Sequence, residues 1–335
     1  MKEECWKMGF VFGPLPSRRL GQSLGVDPLP LKICNWNCIY CQLGRTVPLT
    51  NERREYFPRE DILADVREAL RAHKPGAIDW VTIVGSGETT LHAGIGWLIR
   101  EIKGLTAIPV SVITNGSLLY LPDVREELRA ADAVLSSLAA GNARLYRRIN
   151  RPAAGLGFEL LVEGLVAFRR EYHGKLWIEV MLMKGINDGE GELKEIAALL
   201  EHIEPDQVHI AIPSRPPAEP DVQRPDDGGL ARATAILGVR SQVIQSSGGT
   251  FDLSGYQSVA EAVLAIIGRH PMGEEELRRT LERWTPGQVE EALKELAATG
   301  QAQVVERYGE RFWSAAACHY PVLNSTGCCG GGDRN

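Results

Sequence analysis

No unbroken apolar run in this 335-residue chain approaches the roughly 18 to 20 residues that a helix needs to span a bilayer, so a transmembrane segment is not expected. The opening residues Met-Lys-Glu-Glu-Cys-Trp-Lys carry no leader pattern, and a cytoplasmic location is expected. An excess of positive charge is also missing. The formal net charge is −6, which supplies no global electrostatic reason to expect a phosphate backbone as partner. Seven cysteines make no even framework, and without a leader a disulfide scaffold is disfavoured. Internal repeats with periods of about 20 to 50 residues are absent, which argues against a solenoid or propeller. The most telling absence is a fourth ligand: after Cys34, Cys38 and Cys41 no second Cys/His pair follows within the next thirty residues.

What is present describes an ordinary globular chain, with 44% apolar and 24% charged residues and length enough for about two domains. Its distinctive segment is Ile33-Cys-Asn-Trp-Asn-Cys-Ile-Tyr-Cys-Gln42, a CxxxCxxC loop. A 4Fe–4S cubane usually takes four cysteine ligands, so three thiolates leave one iron open to an exogenous partner. Structural zinc wants a closed tetrahedral set, commonly in paired ligands, and no second pair follows to close one here. Zinc ligation and unligated or redox cysteines remain the alternatives at this point.

From about residue 30 to 245, short β-branched runs alternate with amphipathic stretches, the pattern of repeated βα units around a parallel sheet. Strands are expected over 31–34, 80–84, 110–114, 133–137, 177–182 and 208–212. Helices are expected over 58–73, 121–131, 158–172 and 190–202. In the first of these, Ile62, Leu63, Val66, Ala69 and Leu70 form one apolar stripe. The informative residues then fall after strand ends, the usual place for a site in a parallel barrel. Glu179, a carboxylate within the apolar run Trp177-Ile-Glu-Val-Met-Leu182, must face either solvent or a polar lumen.

The cysteine loop resembles the radical S-adenosylmethionine (SAM) superfamily, whose CxxxCxΦC motif carries an aromatic at Φ, here Tyr40. The resemblance implies that Cys34, Cys38 and Cys41 hold a 4Fe–4S cluster, that SAM chelates its open iron, and that reductive cleavage yields a 5′-deoxyadenosyl radical. It further implies a partial (β/α)6 barrel. Ser86-Gly87-Glu88 resembles the superfamily's GGEP element, which engages the SAM amino group, with Thr89 in place of the usual proline. Thr114 and Asn115, Glu179, Asn187, and Pro213 with Arg215 become further SAM-binding candidates. Gly13-Pro-Leu-Pro-Ser-Arg-Arg-Leu-Gly21, Ser23-Leu-Gly-Val26 and Arg147-Arg-Ile-Asn-Arg-Pro152 narrow the likeness to a wybutosine-synthesis-like group of iron–sulfur oxidoreductases. Where that group carries Ser-Leu-Asp-Ala-Gly, this chain has Ser137-Leu-Ala-Ala-Gly141, so a carboxylate is missing at Ala139.

The expected organisation is a barrel over 1–245, a linker over 246–256, a winged-helix-like domain over 257–316 and a flexible Cys-containing tail over 317–335. Within 255–316 there are seven Lys or Arg against ten Asp or Glu, and the third helix carries Glu290, Glu291 and Glu295 against Lys294. That charge opposes DNA as a partner. Cys328 and Cys329, followed by three glycines, are tail thiols able to take part in catalysis or bind soft metal. The resulting expectation is a radical SAM enzyme acting on an unknown substrate, with peptide or RNA among the candidates. Its electrons would come from a low-potential donor such as a ferredoxin or flavodoxin. The competing expectation is an iron–sulfur sensor controlling a winged-helix transcription factor.

Overall fold

The computed structural model describes residues 9–17, 19–244, 251–253 and 255–321. Cys5, Cys328 and Cys329 lie outside the described residues, as do most of the expected linker and tail.

Eight strands form one open sheet in sequence order: β1 (Val11–Ser17), β2 (Gly21–Val26), β3 (Trp80–Val84), β4 (Val110–Thr114), β5 (Ala133–Ser137), β6 (Lys175–Met181), β7 (Gln207–Ala211) and β8 (Ser241–Val243). β1 pairs antiparallel to β2, and every later pair is parallel. Between the strands run α1 (Arg59–Ala72), α2 (Ile95–Leu105), α3 (Pro122–Leu128), α4 (Ala143–Asn150), α5 (Phe158–Glu171), α6 (Glu190–Ile203) and α7 (Asp227–Leu237).

Alternation along the strands separates two faces. Leu24 and Val26, Val81 and Ile83, Val110 and Val112, Ile178 and Val180, and Val208 and Ile210 share one core cluster with buried residues of all seven helices. The intervening positions Trp80, Ile113, Ala133, Leu135 and Trp177 form a separate small cluster with Leu20. All helices therefore cover a single face, which curls the sheet into a partial barrel and leaves the other face as its concave wall.

The expected strand over 31–34 is not formed. Pro28 and Pro30 remove donors ahead of it, and Lys32 takes a left-handed φ of 64° that no strand tolerates. The first parallel strand is instead β2, whose glycines hide it from local propensity while Leu24 and Val26 bury completely.

Beyond the barrel, α8 (Val259–Ile267), α9 (Glu274–Thr280) and α10 (Pro286–Ala298) pack with an antiparallel sheet made of β9 (Met272–Gly273), β10 (Ala302–Arg307) and β11 (Glu310–Ala315), in the order β10-β11-β9. Thr285 and Gln288 close a capping box at the start of α10. This unit has its own core of Ile266, Ile267, Met272, Leu277, Val289, Leu293 and Trp313. Among the described residues no helix is long and apolar enough to cross a membrane.

Candidate active site at the mouth of the barrel

The cysteine loop follows β2 as irregular chain, so other segments must hold its shape. Asn37 N–H donates to Asn150 O at 3.0 Å, Ile39 N–H to Ile149 O at 2.9 Å, and Ala153 N–H to Asn35 O at 2.8 Å. Trp36 is buried edge-on against Tyr146 of α4, with ring centroids 5.4 Å apart. These contacts fasten the loop along the C-terminal end of α4.

The turn after β3 locks against the same loop. Lys32 N–H donates to Ser86 O and Glu88 N–H to Ile33 O, both at 2.8 Å. A Cβ on Gly87 would overlap the Ile33 carbonyl oxygen, so only glycine permits this approach. Ser86 donates from its N–H (3.1 Å) and Oγ (2.5 Å) to Asp27, which is itself paired with Arg269 at 3.3 Å.

Glu88 is almost wholly buried and accepts four hydrogen bonds. Its Oε1 receives Thr90 N–H (2.9 Å), Thr90 Oγ1 (2.5 Å) and Thr114 Oγ1 (2.6 Å), and its Oε2 receives Asn115 N–H (2.6 Å). Burial raises this carboxyl above its ordinary value, while the Thr114, Thr90 and Asn115 donors pull it back down. Asn115 Nδ2 donates to Asn35 Oδ1 at 2.8 Å, and Asn35 Nδ2 to Ser117 Oγ at 2.8 Å, so the loops after β2, β3 and β4 form one network.

Each of the three cysteine sulfurs has one nitrogen donor beside it. Trp36 N–H lies 3.4 Å from Cys34 Sγ, Asn150 Nδ2 lies 3.6 Å from Cys38 Sγ, and Lys32 Nζ lies 3.1 Å from Cys41 Sγ. Burial, then the neighbouring thiol, push the Cys34 and Cys38 thiols upward. Desolvation acts to lower the Lys32 ammonium, but Cys41 and the other two thiols outweigh it and hold it above the ordinary lysine value. Soft sulfur donors in an N–H-rich loop, with a buried carboxylate alongside, form a donor set that suits an iron–sulfur cluster. Among the described residues no three His, Cys, Asp or Glu side chains converge on a single-ion position, as a closed zinc site requires. Thiols that each bind a different corner of a cubane need not converge.

The remaining candidates are placed differently. Tyr40 is turned toward Asn150, whose Nδ2 is 3.5 Å from its hydroxyl, and burial followed by Cys38 and Glu179 holds the phenol well above its usual value. Glu179 is paired with Arg19, which reaches it from the β1–β2 turn. Asn187 is completely buried, and its amide donates to Ala139 O (2.9 Å) and Met181 O (2.8 Å) while its Oδ1 accepts from Met183 N–H (2.7 Å). Arg215 forms a bidentate pair with Glu276 of α9, and the Pro213 carbonyl accepts from Arg224 Nε at 2.9 Å. Thus Tyr40, Ser86, Gly87, Glu88, Thr114 and Asn115 gather around the cysteines, whereas the Arg215 guanidinium faces the C-terminal unit.

Sequence reasoning missed Asn35, Lys32, Asn150 and Asp27. Asn35 had a readable signal, a polar residue between two motif cysteines. Asp27 had none, because its partner Arg269 lies 242 residues away.

A cysteine triad and a glycine–glutamate turn at the C-terminal rim of parallel strands define a class, and the comparisons agree with it. Residues 29–200 match the radical SAM superfamily. The chain belongs to the radical SAM superfamily and is a radical SAM enzyme. It is 34% identical over 283 residues to a UPF0026 protein of Methanocaldococcus jannaschii, covering 82% of this chain and 87% of that one. It is also 44% identical over 205 residues to a protein of Brachyspira hyodysenteriae named GTPase Obg, an alignment that takes in 61% of this chain but spans only 30% of that protein's length. The crystal structure of a radical SAM methyltransferase from Sphaerobacter thermophilus has the same fold, with a TM-score of 0.54 at 20% identity over 68% of this chain and 67% of that one.

Proposed function

We propose that Cys34, Cys38 and Cys41 hold a 4Fe–4S cluster and that SAM binds beside it, with its amino group toward the turn Ser86-Gly87-Glu88 and its remaining parts toward Thr114, Asn115 and Tyr40. The observation that carries this reading is the lock between the cysteine loop and that turn, in which Gly87 meets Ile33 and the Glu88 carboxylate is held by Thr90, Thr114 and Asn115. When bound, such a cluster supplies one electron to SAM, whose reductive cleavage gives a 5′-deoxyadenosyl radical able to abstract a hydrogen atom from substrate. The chain's own part is positional. Glu88 presents a preorganised carboxylate whose Oε2 accepts only one donor among the described residues, leaving acceptor capacity for an ammonium. Asn187 sets the backbone at Ala139 and Met181 rather than offering free groups, and Glu179, joined to Arg19, lines the concave wall. Arg215 would reach SAM only by leaving Glu276.

The three helices and the small β10-β11-β9 sheet support reading 257–316 as a winged-helix-like domain. Lys294 of α10 is engaged by Glu290 at 2.8 Å, which leaves Glu291 and Glu295 of that helix without this cation. DNA readout and the sensor alternative are therefore not favoured, and a peptide or RNA substrate is retained. A ferredoxin or flavodoxin is the electron donor this chemistry calls for, and a reducing cytoplasm suits it. The decisive experiment is anaerobic reconstitution. The loaded protein should show 4Fe–4S absorbance and, with dithionite and SAM, release 5′-deoxyadenosine; a fully loaded protein that releases none would overturn the reading.

A further inference from the structure

We infer that Lys32 is a positioning residue that sets the reduction potential of the cluster through its charged hydrogen bond to the Cys41 sulfur. The inference rests on the ligand assignment proposed above. Lys32 Nζ has two partners, Cys41 Sγ at 3.1 Å and Gly44 O at 2.9 Å, so the ammonium is pinned between the motif's last cysteine and the backbone just beyond it.

The backbone shows that this placement is imposed. Lys32 has a φ of 64°, a left-handed conformation that costs a residue with a Cβ and that glycine would adopt freely. It is held there by its own N–H on Ser86 O and by the neighbouring contact of Glu88 N–H with Ile33 O. An unfavourable conformation kept by a long cationic side chain beside a functional loop is a sign of function carried by that side chain.

The donors around the trio differ in kind. Cys34 faces a backbone N–H and Cys38 a neutral amide, whereas Cys41 faces the formal charge. Reduction adds negative charge to a cluster, and a cation or N–H donor at a ligand sulfur stabilises the reduced form more than the oxidised one. Lys32 thus eases electron uptake from the donor, and the shorter, charged contact outweighs that of Asn150.

The test compares reconstituted wild-type protein, Lys32→Gly and Asn150→Ala, with iron content measured first and the midpoint then read by EPR during a reductive titration without SAM. Lys32→Gly suits this purpose because its backbone conformation favours glycine, so misfolding is not expected. At a fixed potential its reduced-to-oxidised ratio should fall about tenfold, a midpoint ~59 mV more negative for a one-electron couple. Asn150→Ala should move in the same direction by less. A loaded Lys32→Gly protein that titrates with the wild type overturns the inference. Should Lys32→Gly take up no iron, pulsed EPR of the reduced wild type grown on nitrogen-labelled lysine decides: coupling to a lysine nitrogen supports the contact, and its absence overturns it. Wild-type protein that takes up no cluster overturns the ligand assignment itself, and this inference with it.

Discussion

Glu88 shows how much a single side chain can organise. Its carboxylate gathers Thr90, Thr114 and Asn115 from two strand ends, and an amide in its place would turn a donor toward a donor. Glu88→Gln should leave a buried N–H unsatisfied, lowering stability by about 1–3 kcal/mol. It should also weaken SAM binding, measured by thermal unfolding and equilibrium dialysis of the reconstituted protein. His209, buried on the concave wall, is a second residue with a measurable consequence. Desolvation, and then Arg19, lower its imidazole from 6.5 to about 4. Above pH 6.5 it is neutral in both folded and unfolded chains, so no penalty exists there. Below it the unfolded chain takes a proton that the folded one refuses until about pH 4, so stability falls through that window. Wild type should therefore lose more thermal stability between pH 7 and 5 than His209→Gln; equal losses would show that the imidazole is not held neutral.

At the scale of elements, the site depends on loops that cannot fold independently. The cysteine loop has no regular structure and borrows its shape from α4 and from the turn after β3. Gly87→Ala forces a Cβ into the Ile33 carbonyl, so one of the two loops must shift. Iron uptake on reconstitution should drop well below stoichiometric while the circular dichroism of the βα framework is retained; full loading would mean that the loops are not locked. The βα alternation made most of these elements readable in advance, because β-branched runs such as Val110–Thr114 bury one face under helices. The failure at 31–34 has a definite cause: a strand-like run of apolar residues was overruled by proline-imposed geometry and by close approach to Ser86 and Gly87.

Across the whole molecule, the C-terminal unit is fastened to the barrel next to the cysteines. Tyr320 donates to Gln42 O, Gln42 Nε2 donates to Arg269 O at 3.0 Å, and His319 bridges Gly44 and Arg45. Arg269 and Asp27, both more than nine-tenths buried, join the units by an ion pair that also holds Ser86 through Asp27. Removing one partner of such a pair strands the other charge, so Arg269→Met should destabilise the protein by about 3–5 kcal/mol. Denaturation should show the loss, and SAM affinity should fall with it because the Ser86 turn is loosened. An unchanged midpoint would show that the pair does not couple the units.

The sequence by itself determined the chemistry on offer. Three cysteines at fixed spacing, a glycine–glutamate turn and repeated βα units are local patterns, and spacing along a loop or strand end survives folding unchanged. Only the tertiary structure decided which groups stand beside the sulfurs and which are already engaged. Asn150 reaches Cys38 because distant segments cross at the barrel mouth, Lys32 turns back onto Cys41 within its own loop through a left-handed backbone, and Arg215, an apparent anion binder in sequence, is claimed by Glu276. Hydrogen bonds and ion pairs act over a few ångströms in space, and no pattern along the chain records neighbours such as Glu276 and Asn150, which arrive from 61 and 112 residues away.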